Sequence, residues 1–138
     1  DSHLERFTYE WRERVFRKAL SDHSEESYLL QDDDQPVAIL TIGASRDADL
    51  DVQAVGELWG IYITPKYWRR GIGTTLVHEA ERMLHARGYT AVVLWVLADN
   101  SDARRFYEKM GYAADGVSKT VTLGQPLTAV RYHKALST

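Results

Sequence analysis

Between Ile61 and Thr74 the chain reads Ile-Tyr-Ile-Thr-Pro-Lys-Tyr-Trp-Arg-Arg-Gly-Ile-Gly-Thr. An apolar, strand-like run passes here through a glycine turn straight into a helix-forming stretch. Gly71 and Gly73 let the main chain approach a ligand closely and take up dihedrals closed to other residues. The first amides of a helix have no partner inside it, and the helix dipole adds positive potential, so this corner suits a phosphate or pyrophosphate. Arg69 and Arg70 put charge at the same place. A glycine pair there can also serve only to turn the chain, and the segment alone leaves both readings open. Two other phosphate-binding patterns do not fit. A P-loop needs Gly-Lys-Ser/Thr, whereas Gly73 is followed by Thr74-Thr75; a Rossmann turn needs a third glycine, and Leu76 stands in its place.

Other chemistries are poorly represented. The chain has no cysteine, which removes disulfides, thiolate zinc sites and thiol nucleophiles together. His78 and His85 fall on the polar side of their helical pattern, and no histidine pair with a carboxylate has metal-ligand spacing, so no metal site is assigned. The aspartates at 32–34 read as a solvated turn. A net charge of −3 with dispersed Lys and Arg argues against a nucleic-acid surface. No apolar run approaches the roughly 20 residues that span a bilayer, and the opening DSHLERF is not a signal peptide. A cytoplasmic protein that does not engage membranes is expected.

The elements that must position the glycine turn follow from periodicity. Leu4, Phe7, Trp11 and Val15 make an apolar stripe on a helix over 4–20, and Ser21 to Ser27 reads as a loop. Residues 28–30 and 37–42 read as strands around the turn at 32–36, and 45–53 as an exposed loop. Strand 58–63 precedes the glycine turn and helix 74–87 follows it. The apolar run 91–97 suits a strand buried on both faces. A helix over 102–110, capped by Asn100 or Ser101 and stopped by Gly111, precedes strands at 117–123 and 128–135. At 138 residues this is one domain of mixed α/β class, covering 1–138.

Trp68-Arg-Arg-Gly-Ile-Gly73 resembles the pyrophosphate-binding motif Q/R-x-x-G-x-G/A of the GNAT acetyltransferases, with Trp68 in place of Gln or Arg. A second stretch, Asn100 with Ala103, Phe106, Tyr107, Gly111 and Tyr112, resembles the family's N-x-x-A-x-x-F-Y-x-x-x-G-F/Y pattern. The similarity spans about residues 26–135. It implies a GNAT-like fold, a central twisted mixed sheet with helices on both faces, in which strands 58–63 and 91–97 run parallel and splay apart. Against the family pattern, the reading of a single helix ahead of the first strand implies that the strand and helix that normally open the domain are missing. A sheet edge exposed in this way would favour a homodimer.

The resemblance also implies roles. The main chain of Ile61, Tyr62 and Ile63 would hold the pantetheine arm of acetyl-CoA, and Gly71, Ile72, Gly73 and Thr74 its pyrophosphate, with Arg69 or, preferably, Arg70 nearby. Asn100, Ala103 and Phe106 belong to the cofactor side, Asn100 also serving as a plain N-cap. Tyr107 would protonate the departing sulfur, its alternative being a packed core tyrosine. Glu57 is the candidate base, its alternative an exposed strand-edge glutamate. Trp59, Tyr62 and Tyr67 are core residues or line the acceptor pocket. The expected activity is direct acetyl transfer from acetyl-CoA, without a metal, to a primary amine of a small molecule or protein. The alternatives are a non-catalytic acyl-CoA-binding module and a different phosphate-ligand enzyme. The loops and terminal strands, about 43–57 and 115–130, would choose the acceptor.

Overall fold

The computed structural model describes residues 17–19, 25–32 and 34–136. Among the described residues seven strands form one sheet: β1 (Arg17–Ala19), β2 (Glu25–Asp32), β3 (Gln35–Ala44), β4 (Val55–Ile63), β5 (Ala91–Leu97), β6 (Ala113–Thr122) and β7 (Pro126–Ala135). Their order across the sheet is β1-β2-β3-β4-β5-β7-β6. Every neighbouring pair is antiparallel except β4 and β5, the two joined through helix α1 (Ile72–Ala86). A short helix α2 (Ser101–Lys109) links β5 to β6. The mixed α/β sheet expected from the sequence is present.

Two stretches at the front of the sheet differ from the periodicity, for the same reason. The helix expected over 4–20 lies outside the described residues as far as residue 16, and its last part is strand: Arg17–Ala19 pairs with Glu26–Tyr28. Likewise Glu25–Ser27, which reads as loop from its polarity, pairs with Thr41–Gly43. Ladder bonding takes any side chain, so pairing overrides a weak local preference. Ser27 fits its place through a hydroxyl contact with Thr41 at 2.9 Å.

The core lies between the sheet and the helices. Leu40 and Ile42 of β3, Leu58 of β4, Val92 and Leu94 of β5 and Tyr132 of β7 pack with Leu76, Val77, Ala80 and Leu84 of α1. Each buried Val, Leu or Ile side chain among these contributes about 1.5–3 kcal/mol. Both described helices meet the same face of β7, where Lys134 reaches Glu81 of α1 and Tyr132 reaches Arg104 and Glu108 of α2, so the helices on both faces that the resemblance implies are not seen among the described residues. Close approach is enforced at Gly56, where an added Cβ would stand 2.9 Å from Leu84 Cδ2.

The feature that builds a site is the parting of β4 and β5. They pair only at Val55–Ala91, Gly56–Val92 and Glu57–Val93. Beyond that, β5 continues on β7 as far as Leu97 and β4 continues on β3 as far as Ile63. The β4–β3 register shifts at Trp59, a bulge that twists β4 as it leaves its neighbour. A wedge therefore opens between residues 58–63 and 94–97.

Candidate active site

At the end of β4, a turn of 3₁₀ helix (Pro65–Tyr67) leads to the glycine corner. Gly71 has φ 75°, which a Cβ would strain, and it stands at the N-cap of α1. Thr75 is the first amide of the helix with a main-chain acceptor, the Gly71 carbonyl at 3.2 Å. Those of Ile72, Gly73 and Thr74 have no acceptor among the described residues. Arg69 and Arg70 are exposed beside them, and the Arg70 guanidinium lies 5.2 Å from the centre of the Tyr67 ring. This is a cradle of donors and positive charge for an anion.

The corner also joins the wedge to α2. A Cβ on Gly73 would stand 3.4 Å from Phe106 Cζ and 3.7 Å from Ile63 Cδ1. The end of β4, the start of α1 and the middle of α2 thus meet around Gly73, bringing together Ile63, Gly73 and Phe106. Trp68 has a use that the motif comparison does not foresee: its indole N–H donates to the Ile63 carbonyl at 2.7 Å. One β4 carbonyl is thereby already satisfied. Tyr62 is largely exposed, and Ile61 is half-buried.

Helix α2 carries the titratable group. Asn100 caps it, its Oδ1 accepting from the Ala103 amide at 3.1 Å. At the other end Gly111, at φ 97°, closes a Schellman motif, with Gly111 N–H on Glu108 O and Tyr112 N–H on Tyr107 O. The Tyr107 ring lies edge-on to Phe106 at 5.0 Å and to Tyr112 at 5.7 Å. Burial among these apolar groups pushes the Tyr107 hydroxyl up to about 12. Tyr112 is raised further by burial and by Glu81, to which its hydroxyl donates at 2.8 Å.

Glu57 sits at the vertex, in the last pair before the strands part. It is not the exposed strand-edge residue of the plain reading, being 1% exposed. Gly56 faces α1, so by strand alternation Glu57 faces the other side of the sheet. There Arg46 holds both its oxygens, the amide at 3.0 Å and Nη2 at 2.5 Å. The same guanidinium lies 3.9 Å from the Trp59 ring centre.

Sequence reasoning missed the network beside this pair. Buried Arg131 of β7 binds Asp49 through two hydrogen bonds of 2.9 Å, and reaches Asp115 at 2.6 Å and Asp47 at 3.2 Å. The Trp95 indole donates to Asp47 at 3.1 Å. The loop expected to choose an acceptor is therefore tied down on the face opposite the helices. An arginine inside the apolar run Ala129–Tyr132 was the available signal. A cleft of about 400 Å³ lies nearby, between Leu97–Asp99 and Pro126–Thr128.

Comparison with known proteins agrees with this geometry. The family model described as Acetyltransferase (GNAT) family matches residues 1–112. An uncharacterized N-acetyltransferase of Methanocaldococcus jannaschii is 26% identical over 109 residues, 79% of this chain and 48% of that protein. A spermidine N(1)-acetyltransferase of Thermoplasma acidophilum is 32% identical over 84 residues, 56% of this chain and 52% of the other. The chain spans about half the length of these relatives. A Salmonella typhimurium protein solved with its cofactor acetyl-CoA superposes with a TM-score of 0.67 at 16% identity, covering 82% of this chain and 65% of that one.

Proposed function

The chain belongs to the GNAT acetyltransferase family, and from that premise we propose that it moves an acetyl group from acetyl-CoA to a primary amine of a small molecule or protein. The observation that carries this reading is the wedge itself. It opens after Glu57–Val93 and runs towards the free amides of α1, where Ile63, Gly73 and Phe106 of α2 meet; Tyr107 is the next residue of that helix. A diphosphate needs clustered donors and a pantetheine arm needs strand edge without a strand partner. The chain offers the first at Gly71–Thr74 and the second along residues 58–62.

Transfer joins the amine nitrogen to the thioester carbonyl carbon and breaks the carbon–sulfur bond. The acceptor, an ammonium at neutral pH, loses one proton before attack and a second on bonding, and the sulfur gains one. Tyr107 is protonated at neutral pH and faces this change as a hydrogen-bond donor. A hydroxyl near 12 is a weak acid beside a thiol of about 8.5. Its proton therefore passes to sulfur together with the proton released by the newly bonded, acidic ammonium, which restores the tyrosine. Glu57 stands on the acceptor side of the vertex as the carboxylate that draws off the acceptor's first proton through water, with Arg46 on both its oxygens. The main chain of Ile61 and Tyr62 and the donors of Gly71, Ile72, Gly73, Thr74, Arg69 and Arg70 orient the donor, with Asn100, Ala103 and Phe106 closing the side next to α2.

Calorimetric titration with acetyl-CoA, using ATP and NAD as controls, tests the reading. Micromolar 1:1 binding confined to acetyl-CoA is the expected result, and equal binding of ATP or NAD would sink it. One observation favours a second reading, a binding module without turnover: Arg46 already occupies both oxygens of Glu57. Acetyl-CoA binding with no acetylation of any amine in a broad screen would select that alternative.

A further inference from the structure

Helix α2 carries the proposed acid on a slender support. It has nine residues and none of them is fully buried, and a helix of that length has little stability of its own. Ala103, Phe106, Tyr107 and Met110 pack on the core along one side. Apolar contact of this kind resists lifting of the helix more than rolling about its axis. Roll is opposed by a different set of contacts. Arg104 and Glu108 are one turn apart and grip a single hydroxyl from β7: Arg104 Nε donates to Tyr132 Oη at 2.8 Å, and Tyr132 Oη donates to Glu108 Oε2 at 2.7 Å. Arg104 Nη1 also donates to the Ala98 carbonyl at 3.0 Å, fixing the turn into the helix.

Tyr132 suits this task. Its side chain is 0% exposed, and its backbone is paired with Leu94 on one side and Ala114 on the other. Its ring is therefore an extension of the sheet. A side-chain atom about 6 Å from a helix axis moves about 1 Å for each 10° of roll. A misplacement of about 1 Å at a reacting group can cost on the order of 10²-fold in rate.

We propose that Tyr132, acting through Arg104 and Glu108, is a positioning residue that sets the roll of α2 and so places the Tyr107 hydroxyl at the wedge. This rests on the reading of Tyr107 as the acid, but the placement itself can be tested without turnover. The alkaline titration of Tyr107 is read as the absorbance difference between proteins with Tyr107 and with Tyr107→Phe, in the Tyr132 and the Tyr132→Phe backgrounds. With Tyr132 present the hydroxyl should titrate at about 12. In Tyr132→Phe it should move towards 10 as the helix rolls and water reaches the ring. An unchanged value would overturn the proposal. Glu108→Gln, at an exposed position, should shift the same way by less and serves if Tyr132→Phe does not fold.

Turnover supplies the second measurement, with spermidine and butylamine as acceptors. Tyr132→Phe should lower kcat on the order of 10-fold while leaving the acetyl-CoA KM within about two-fold. In the Tyr107→Phe background the same change should have almost no further effect. An equal loss in both backgrounds would mean that Tyr132 is merely structural. If Tyr107→Phe itself turns over normally, the role of Tyr107 as acid falls, while the titration still decides whether Tyr132 positions it.

Discussion

Tyr107 and Tyr112 are joined twice: the Tyr112 amide donates to the Tyr107 carbonyl at 3.0 Å, and their rings meet edge-on at 5.7 Å. The helix cap that ends α2 is thus also one wall around the Tyr107 ring. Termination by Gly111 returns the chain so that residue 112 covers residue 107, the apolar contact that accompanies a Schellman motif. The spacing Phe-Tyr-x-x-x-Gly-Tyr acquires a physical meaning here, since helix end and tyrosine environment are set by the same turn.

That wall has a consequence at high pH. Burial raises the Tyr107 hydroxyl from 10 to about 12, so the folded state holds the proton more tightly than the unfolded chain. The stability this contributes is fully present below pH 10 and is lost as pH rises through about 12, amounting to at most about 2.7 kcal/mol. Urea unfolding at intervals between pH 9 and 12 should show the wild type losing stability faster than Tyr107→Phe. Parallel curves would mean that the hydroxyl is not desolvated.

Gly71→Ala tests the anion corner. A left-handed conformation at φ 75° costs a residue with a Cβ roughly 1–2 kcal/mol. Relief of that strain would rotate the first amides of α1. Thermal unfolding should fall by several degrees, and affinity for acetyl-CoA should weaken about 10-fold, since 1.4 kcal/mol is a factor of ten. A destabilised protein with undiminished affinity would place the diphosphate elsewhere.

Arg131 makes an opposite prediction in acid. Its buried guanidinium is balanced by Asp47, Asp49 and Asp115. Arg131→Met removes the cation and leaves the carboxylates facing one another, a change that costs about 3–5 kcal/mol when one partner of a buried pair is deleted. The Arg131 hydrogen bonds hold Asp49 below the usual carboxylate range. The stability so linked is present above about pH 4 and disappears as pH falls further. Urea midpoints of wild type and Arg131→Met should therefore lie far apart at pH 7 and draw closer as pH falls below about 4. A constant difference would mean that the titration of Asp49 is not coupled to Arg131.

Much of the site was legible because it depends on residues adjacent in sequence. The glycine corner, the Asn100 cap and the Gly111 stop each act within a few positions, so composition and spacing suffice. Strand 91–97 was equally plain, since an apolar run of that length has few other uses. The parting of β4 and β5 is visible in sequence only through family likeness, because it depends on which strand each chooses as its other neighbour. Arg46 on Glu57 joins positions 11 apart, and Arg131 on Asp49 joins positions 82 apart. No periodicity encodes such meetings. The strand at 17–19 was misread for a related reason, since its edge pairing with β2 outweighs the helical stripe before it.

Asn100 offers a separation of two roles that the sequence leaves superimposed. Its Oδ1 caps α2 by accepting from the Ala103 amide, and the same side chain is proposed to meet the pantetheine arm. Asn100→Ala should remove both, costing about 1 kcal/mol of stability together with affinity for acetyl-CoA. Asn100→Asp keeps a capping oxygen, and its charge favours a helix N-terminus, so it should restore thermal stability to the wild-type value. It lacks the amide N–H₂, and an arm that needs that donor would stay weakly held, with affinity no better than in the alanine variant. Calorimetry of acetyl-CoA beside a thermal melt reads both properties on each protein. Recovery of stability and affinity together in Asn100→Asp would show that Asn100 acts on the cofactor only by ending the helix in the right place.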